Sequence, residues 1–177
     1  MIIAPDAALV LAPRGATVGR LLRGPEARPF PCALGRAGIV PAAGKQEGDG
    51  GTPDGTLPVR RILWRADRLP RPTAAVPAEP IGPDDGWCDA PHDAAYNRPV
   101  RLPFTASHER LWRDDALYDV IGVLGWNDAP PVPGRGSAIF LHLARPDFGP
   151  TEGCIALSLP DLRLVLPGLA VIAVRLE

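Results

Sequence analysis

Gly136-Ser137-Ala138-Ile139-Phe140-Leu141-His142-Leu143-Ala144, followed after a short loop by Thr151-Glu152-Gly153-Cys154-Ile155-Ala156-Leu157, is the stretch on which the fold turns. Each half is an apolar run with glycine at its flank, the composition of a buried strand. His142 falls near the end of the first run and Cys154 opens the second, twelve residues on. The loop from Arg145 to Pro150 is long enough to reverse direction, and neighbouring strands joined this way set thiol and imidazole side by side.

That pairing has a chemistry. A free thiol is only a few per cent thiolate at neutral pH, and a histidine within about 3 Å can take its proton. Gly153 lets a substrate carbonyl come close to the backbone. The amides of Gly153 and Cys154 would then hold a tetrahedral oxyanion, an effect worth roughly 3–4 kcal/mol per donor. This is the outline of cysteine acyl transfer. The structural alternative is a thiol serving as a small core hydrophobe and a histidine satisfied inside an apolar strand.

Working outward, Ala116 to Trp126 reads as a further strand, and Leu57 to Trp64 as an alternating one. Shorter strands are expected at Ala8–Ala12, Ala16–Leu22, Phe30–Leu34 and Leu169–Leu176. Pro31 argues for an edge position. Ser107 to Arg113 reads as a short helix capped by Ser107, and Pro160 to Leu166 as one or two helical turns. The expected fold class is therefore mainly β, with short helices and a long proline-rich loop. Residues 1–177 are read as one catalytic domain.

Two segments resist regular structure. Gly44 to Gly55 is too glycine-rich for a helix or strand interior and is expected to be a tightly folded loop. It holds the only lysine, Lys45, with Asp49 and Glu47 as local ion-pair partners, and a turn-stabilising role is favoured over substrate contact. From about 65 to 100, seven prolines suppress regular structure, and a connection of that length is either a lid or binding loop or a surface excursion.

Composition excludes several classes. A net charge of −1 leaves no basic footprint for nucleic acid. No apolar run is long enough to span a bilayer, and the start of the chain carries no visible signal peptide. Three cysteines, Cys32, Cys88 and Cys154, leave at least one free thiol. Cys88, Asp89 and His92 lie close in sequence, but a zinc site needs more ligands than this stretch supplies, so no metal is expected. Arg113-Asp114-Asp115 and Tyr96-Asn97 are read either as cleft-lining polar groups or as ordinary turn chemistry. A backbone carbonyl, Asp114 or Asp115 can orient His142, while His92 and His108 have no partner visible in sequence.

Thr151, Gly153 and Cys154, with His142 upstream, resemble the active-site signature of the YkuD-type L,D-transpeptidase family, a histidine followed by [Ser/Thr]-His-Gly-Cys. Thr52-Pro53-Asp54-Gly55 is similar to the family's Thr-Pro-x-Gly element, so the resemblance touches roughly residues 30 to 170. Glu152 replaces the motif's own histidine, Ala156 stands where Arg or Asn commonly follows, and the step from His142 to Cys154 is short. The resemblance implies a small β-rich domain, with Cys154 as nucleophile, His142 as general base, and Gly153, Thr151 and Glu152 on the oxyanion and substrate side. It implies peptidoglycan stem peptides and glycan strands as substrate, carbapenems as covalent inhibitors, no cofactor, and a place in the periplasm or cell envelope, the cytoplasm being the alternative that the missing signal peptide leaves.

Typical members make 3,3-crosslinks. The altered signature and the proline-rich excursion resemble a proteobacterial branch that links through L-Ala to diaminopimelate, giving 1,3-crosslinks. Loss of a positive residue at Ala156 fits such a change, because selection for a stem's charged end weakens. Hydrolysis of stems by the same thiol, as a carboxypeptidase or endopeptidase, and non-catalytic peptidoglycan binding are the alternatives.

Overall fold

A computed structural model of the chain describes residues 2–177. Strands β1 (Ala7–Ala12), β2 (Val18–Arg23) and β3 (Arg28–Ala33) form an antiparallel meander. Two-residue strands β4 (Ile39–Val40) and β5 (Thr52–Pro53) pair in parallel and bracket the glycine-rich loop. β6 (Gly55–Trp64) is the longest strand, and β7 (Ala78–Pro80) adds to it in parallel. Then come β8 (Asp85–Cys88), β9 (Pro99–Arg101), β10 (His108–Arg110), β11 (Val120–Leu124), β12 (Phe140–Leu143) and β13 (Ile155–Leu157). Helix α1 (Leu159–Val165) precedes β14 (Val171–Leu176). The mainly β expectation holds.

Hydrogen-bonded neighbours run β11-β12-β13-β3-β2-β1-β14-β6, and β6 pairs again with β11. The eight strands therefore close into a circuit, which removes the free edges that an open sheet would leave. Strand alternation sends Val10, Leu21, Leu57, Ile62, Leu141 and Ile155 to the interior. Ser158 caps α1, its hydroxyl accepting the Asp161 amide at 3.2 Å, and Leu162 and Val165 seat the helix on the core.

The outward face of β11, β12 and β13 has its own cover. Ile121, Val123, Phe140 and Cys154 lie under Trp87 and Leu111, with the Trp87 and Phe140 rings edge-on at 5.3 Å. The cover is a three-stranded sheet, ordered β10-β8-β9.

Several expectations are corrected here, the edge position of Pro31 among them, since β3 lies between β2 and β13. The proline-rich excursion over 65–100 is not structureless, since β7 and β8 fall within it and β9 begins at its end. Ser107–Arg113 is not a helix, because His108, Glu109 and Arg110 pair as β10 with Cys88, Trp87 and Gly86. A segment that short cannot nucleate a helix alone, and ladder bonds across the small sheet outweigh one cap. The expected strands 116–126 and 136–144 are shorter, Val120–Leu124 and Phe140–Leu143, because Asn127, Gly136 and Ala138 take positive φ of 48°, 91° and 51°. Leu169–Leu176 becomes Val171–Leu176, as the chain turns at Gly168.

Candidate active site

β12 and β13 are adjacent and parallel, with Leu141 opposite Ile155, His142 opposite Ala156 and Leu143 opposite Leu157. The connection therefore crosses over and does not simply reverse the chain. Because side chains alternate, His142 and Ala156 share one face, and Cys154 lies on that same face two residues before Ala156. The thiol and imidazole thus sit diagonally across neighbouring strands, and both line a cleft of about 510 Å³ beside β10. Leu141, Leu143, Ile155 and Leu157 point the other way, into the closed sheet.

The turn before β13 is shaped for one residue type. Gly153 has φ +131°, and a Cβ there would lie 2.8 Å from Gly51 O, so only glycine fits. Thr151 Oγ1 donates to Cys154 O at 2.7 Å and accepts the Gly153 amide at 3.2 Å. In the resting site that amide therefore serves Thr151 and not an oxyanion. Glu152 lines the cleft, and its carboxylate pairs with exposed Arg36 at 2.9 Å.

Cys154 is 7% exposed; its thiol donates to Ala138 O at 3.2 Å and accepts from the Phe140 amide at 3.3 Å. Ala138 presents that carbonyl from a left-handed backbone (φ 51°), held by a hydrogen bond from its amide to Asn97 Oδ1 at 3.1 Å. Burial, and next the Glu109 carboxylate, push the Cys154 thiol up to about 12. His142 is 6% exposed, and burial is the main cause that pushes its imidazole down to about 4. The resting site thus holds a neutral thiol and a neutral imidazole, not an ion pair.

His142 Nδ1 lies 2.9 Å from Leu143 O. A carbonyl only accepts, so Nδ1 carries the proton and Nε2 is the basic nitrogen. Of the groups considered for orienting His142, the backbone carbonyl holds the ring; Asp115 is instead forked onto Arg113. The Tyr118 ring packs edge-on to the imidazole at 5.3 Å.

Tyr118 and Glu109 are the cleft residues that sequence reading missed. The Tyr118 hydroxyl donates to Glu109 Oε2 at 2.6 Å, and both line the cleft with Cys154 and His142. Glu109 arrives on β10, which the sequence hid behind a helix signal; Tyr118 lies in the turn before β11 and carried no signal of its own. Arg113 lines the same cleft, as sequence reading allowed. Tyr96 and Asn97 do not: Tyr96 donates to Glu47 at 2.5 Å, and buried Asn97 accepts the Trp87 indole N–H at 2.9 Å. Their role is to hold the wall behind Ala138.

Lys45 is buried away from the cleft, bonded to Asp49 at 2.6 Å and to Gln46 O at 2.9 Å. Asp49 also accepts the Gln46 and Gly51 amides, each at 2.8 Å. The glycine-rich loop thus folds around one ion pair and places Gly51 O against Gly153. Among the described residues, no group of three His, Cys, Asp or Glu side chains is arranged to hold a metal, Cys88, Asp89 and His92 included.

A family model described as YkuD, L,D-transpeptidase catalytic domain, matches residues 14–167. Comparisons with curated proteins and with solved structures returned no match.

Proposed function

Because the chain belongs to the YkuD L,D-transpeptidase family, cysteine-dependent acyltransferases that act on peptidoglycan, we propose that Cys154 attacks a stem-peptide carbonyl and passes the acyl group to an amine. The observation that carries this reading is the shared outward face of β12 and β13, on which thiol and imidazole line one open cleft.

The two groups rest neutral, so the proton leaves sulfur as the carbonyl arrives, not beforehand. His142 Nε2 is the acceptor, since Nδ1 is committed to Leu143 O. The substrate oxygen takes the amides at Gly153 and Cys154, displacing the 3.2 Å contact of Gly153 with Thr151. Sulfur forms the C–S bond, the leaving amine takes the proton back from His142, and a thioester remains. An incoming amine then reverses these roles.

The donor is a stem bond at an L-residue, and the 1,3 reading is preferred. Ala156, which lies opposite His142 in the ladder, brings no charge to select a terminal carboxylate. Arg110 and Arg145 at the cleft rim have no ion-pair partner among the described residues and can hold carboxylates of the peptide on either side of the bond. The family is usually extracytoplasmic, and no helix among the described residues is long and apolar enough to cross a membrane.

Mass spectrometry of muropeptides incubated with wild-type protein and with Cys154→Ala tests this. Crosslinked dimers from stems lacking the terminal D-residue, made by wild type only, are expected. Monomers alone would mean hydrolysis, activity only on tetrapeptides would refute the 1,3 reading, and dimers from Cys154→Ala would end the thiol mechanism. A carbapenem is expected to leave one adduct, on Cys154, which lines the cleft, and not on Cys32 or Cys88, which do not.

A further inference from the structure

Glu109 has the wrong sign for the first half of this reaction. After burial, its carboxylate is the largest influence holding the Cys154 proton in place, so it opposes formation of the nucleophile. A cleft shaped only for acylation gains nothing from it. The carboxylate also lacks a counter-ion: among the described residues it makes no salt bridge, and its side-chain partner is the Tyr118 hydroxyl at 2.6 Å. Arg113, the cation on the same cleft wall, is already spent on Asp115 through two bonds of 2.9 and 2.6 Å. A half-buried carboxylate with a single neutral donor is stabilised by a cation delivered from outside.

The second half of acyl transfer brings such a cation. An alkyl amine arrives at neutral pH as an ammonium, and its nitrogen has no lone pair until one proton leaves. We propose that Glu109 is the acceptor subsite: its carboxylate draws the acceptor's ammonium to the cleft and removes the proton that blocks attack on the Cys154 thioester. This rests on the reading of Cys154 as the acylated residue. Glu109 takes one proton and becomes a neutral acid. The freed lone pair forms the C–N bond, the C–S bond breaks, and a second nitrogen proton passes through His142 to sulfur. Amide and thiol result, and Glu109 returns its proton to water.

The surroundings favour that transfer. Burial raises the affinity of Glu109 for a proton, as do the Asp89 and Glu47 carboxylates; the Tyr118 hydrogen bond and the Arg113 charge act the other way. The net direction is upward, toward a carboxylate that is a better base than an exposed one. An arriving ammonium also cancels the charge that resists thiolate departure from the thioester. The same carboxylate therefore disfavours an idle thiolate and assists only when an acceptor is bound.

The experiment separates acylation from transfer. Wild type and Glu109→Gln are acylated with a disaccharide-tetrapeptide, the adduct on Cys154 is followed by intact mass, and its decay is timed with two nucleophiles. One is diaminopimelate, an ammonium at neutral pH; the other is hydroxylamine, uncharged there. Acylation of the variant and its release by hydroxylamine are each expected at the wild-type rate or faster, because the charge that resists thiolate is gone. Transfer to diaminopimelate is expected to fall on the order of 100-fold. Equal slowing with both nucleophiles would overturn the proposal in favour of a packing role for the Glu109–Tyr118 pair, and no slowing would overturn it outright. Absence of a wild-type adduct on Cys154 would bring down both readings together. Should the variant not fold, wild type still decides: added salt is expected to weaken transfer to diaminopimelate selectively, and equal weakening of both nucleophiles would overturn the proposal.

Discussion

Acid exposes His142. An ordinary histidine titrates at 6.5, but burial, with the Tyr118 ring packed against the imidazole, pushes His142 down to about 4, aided by the nearby Arg113 and Arg145 charges and resisted by the Leu143 carbonyl. As pH falls through 6.5 the unfolded chain takes up a proton at this position while the folded protein does not, so the unfolded state is favoured. The loss begins near 6.5, grows as pH drops, and levels off near about 4, where the folded form also titrates. At about 1.4 kcal/mol per pH unit the window amounts to about 3 kcal/mol, a sizeable part of the roughly 5–15 kcal/mol that holds a domain together. Urea unfolding at stepped pH, for wild type and for His142→Gln, measures it. Carboxylates common to both proteins cancel in the difference, Glu109 among them, leaving a slope of one proton across the window. A flat difference would show that His142 is not held neutral in a dry site, and the tautomer argument for Nε2 would fall with it.

Other consequences follow from the same geometry. Acylation, measured after brief pH jumps, is expected to hold steady below neutrality and to fall with a midpoint near about 4, because a protonated His142 cannot accept from sulfur; a midpoint at the ordinary histidine value would contradict this. Gly153→Ala forces a Cβ to within 2.8 Å of Gly51 O at φ +131°, which is expected to cost at least about 2 kcal/mol in denaturant unfolding and to abolish acylation. Lys45→Met leaves Asp49, which is partly exposed, without its cation in the loop that backs Gly153, an expected loss of about 1.5 kcal/mol. Its Cys154 acylation is expected to slow less than its stability drops, since Lys45 does not line the cleft; unchanged stability would refute the structural assignment.

Strand composition around His142 and Cys154 was legible because apolar alternation needs only local information. Leu57 to Trp64 and the helix after Ser158 were legible for the same reason, through period and cap. Sheet closure was not, since nothing local tells β6 to bond with β14 along one half and β11 along the other. The cover sheet was hidden twice: prolines masked β7 and β9, and a helix cap masked β10. Glu109 was missed with it, as its partner Tyr118 comes from another element. Asn97 reads as a turn residue from sequence, and only the fold reveals that it holds Trp87 and Ala138 at once. The choice of the Leu143 carbonyl over Asp114 and Asp115 is a matter of distance, which sequence does not carry.

The parallel partnership of β1 with β14 joins strands far apart along the chain, Ala7 facing Val171. While translation is under way, β1, β2 and β3 can assemble as a meander, yet nothing bonds β1 to β6 until residues 171–176 leave the ribosome. The circuit through β1, β14 and β6 therefore closes only after β14 is made. Until then one side of β1 and the Gly55–Pro58 stretch of β6 lack their ladder partner, leaving open strand edges on the nascent chain that β14 later covers.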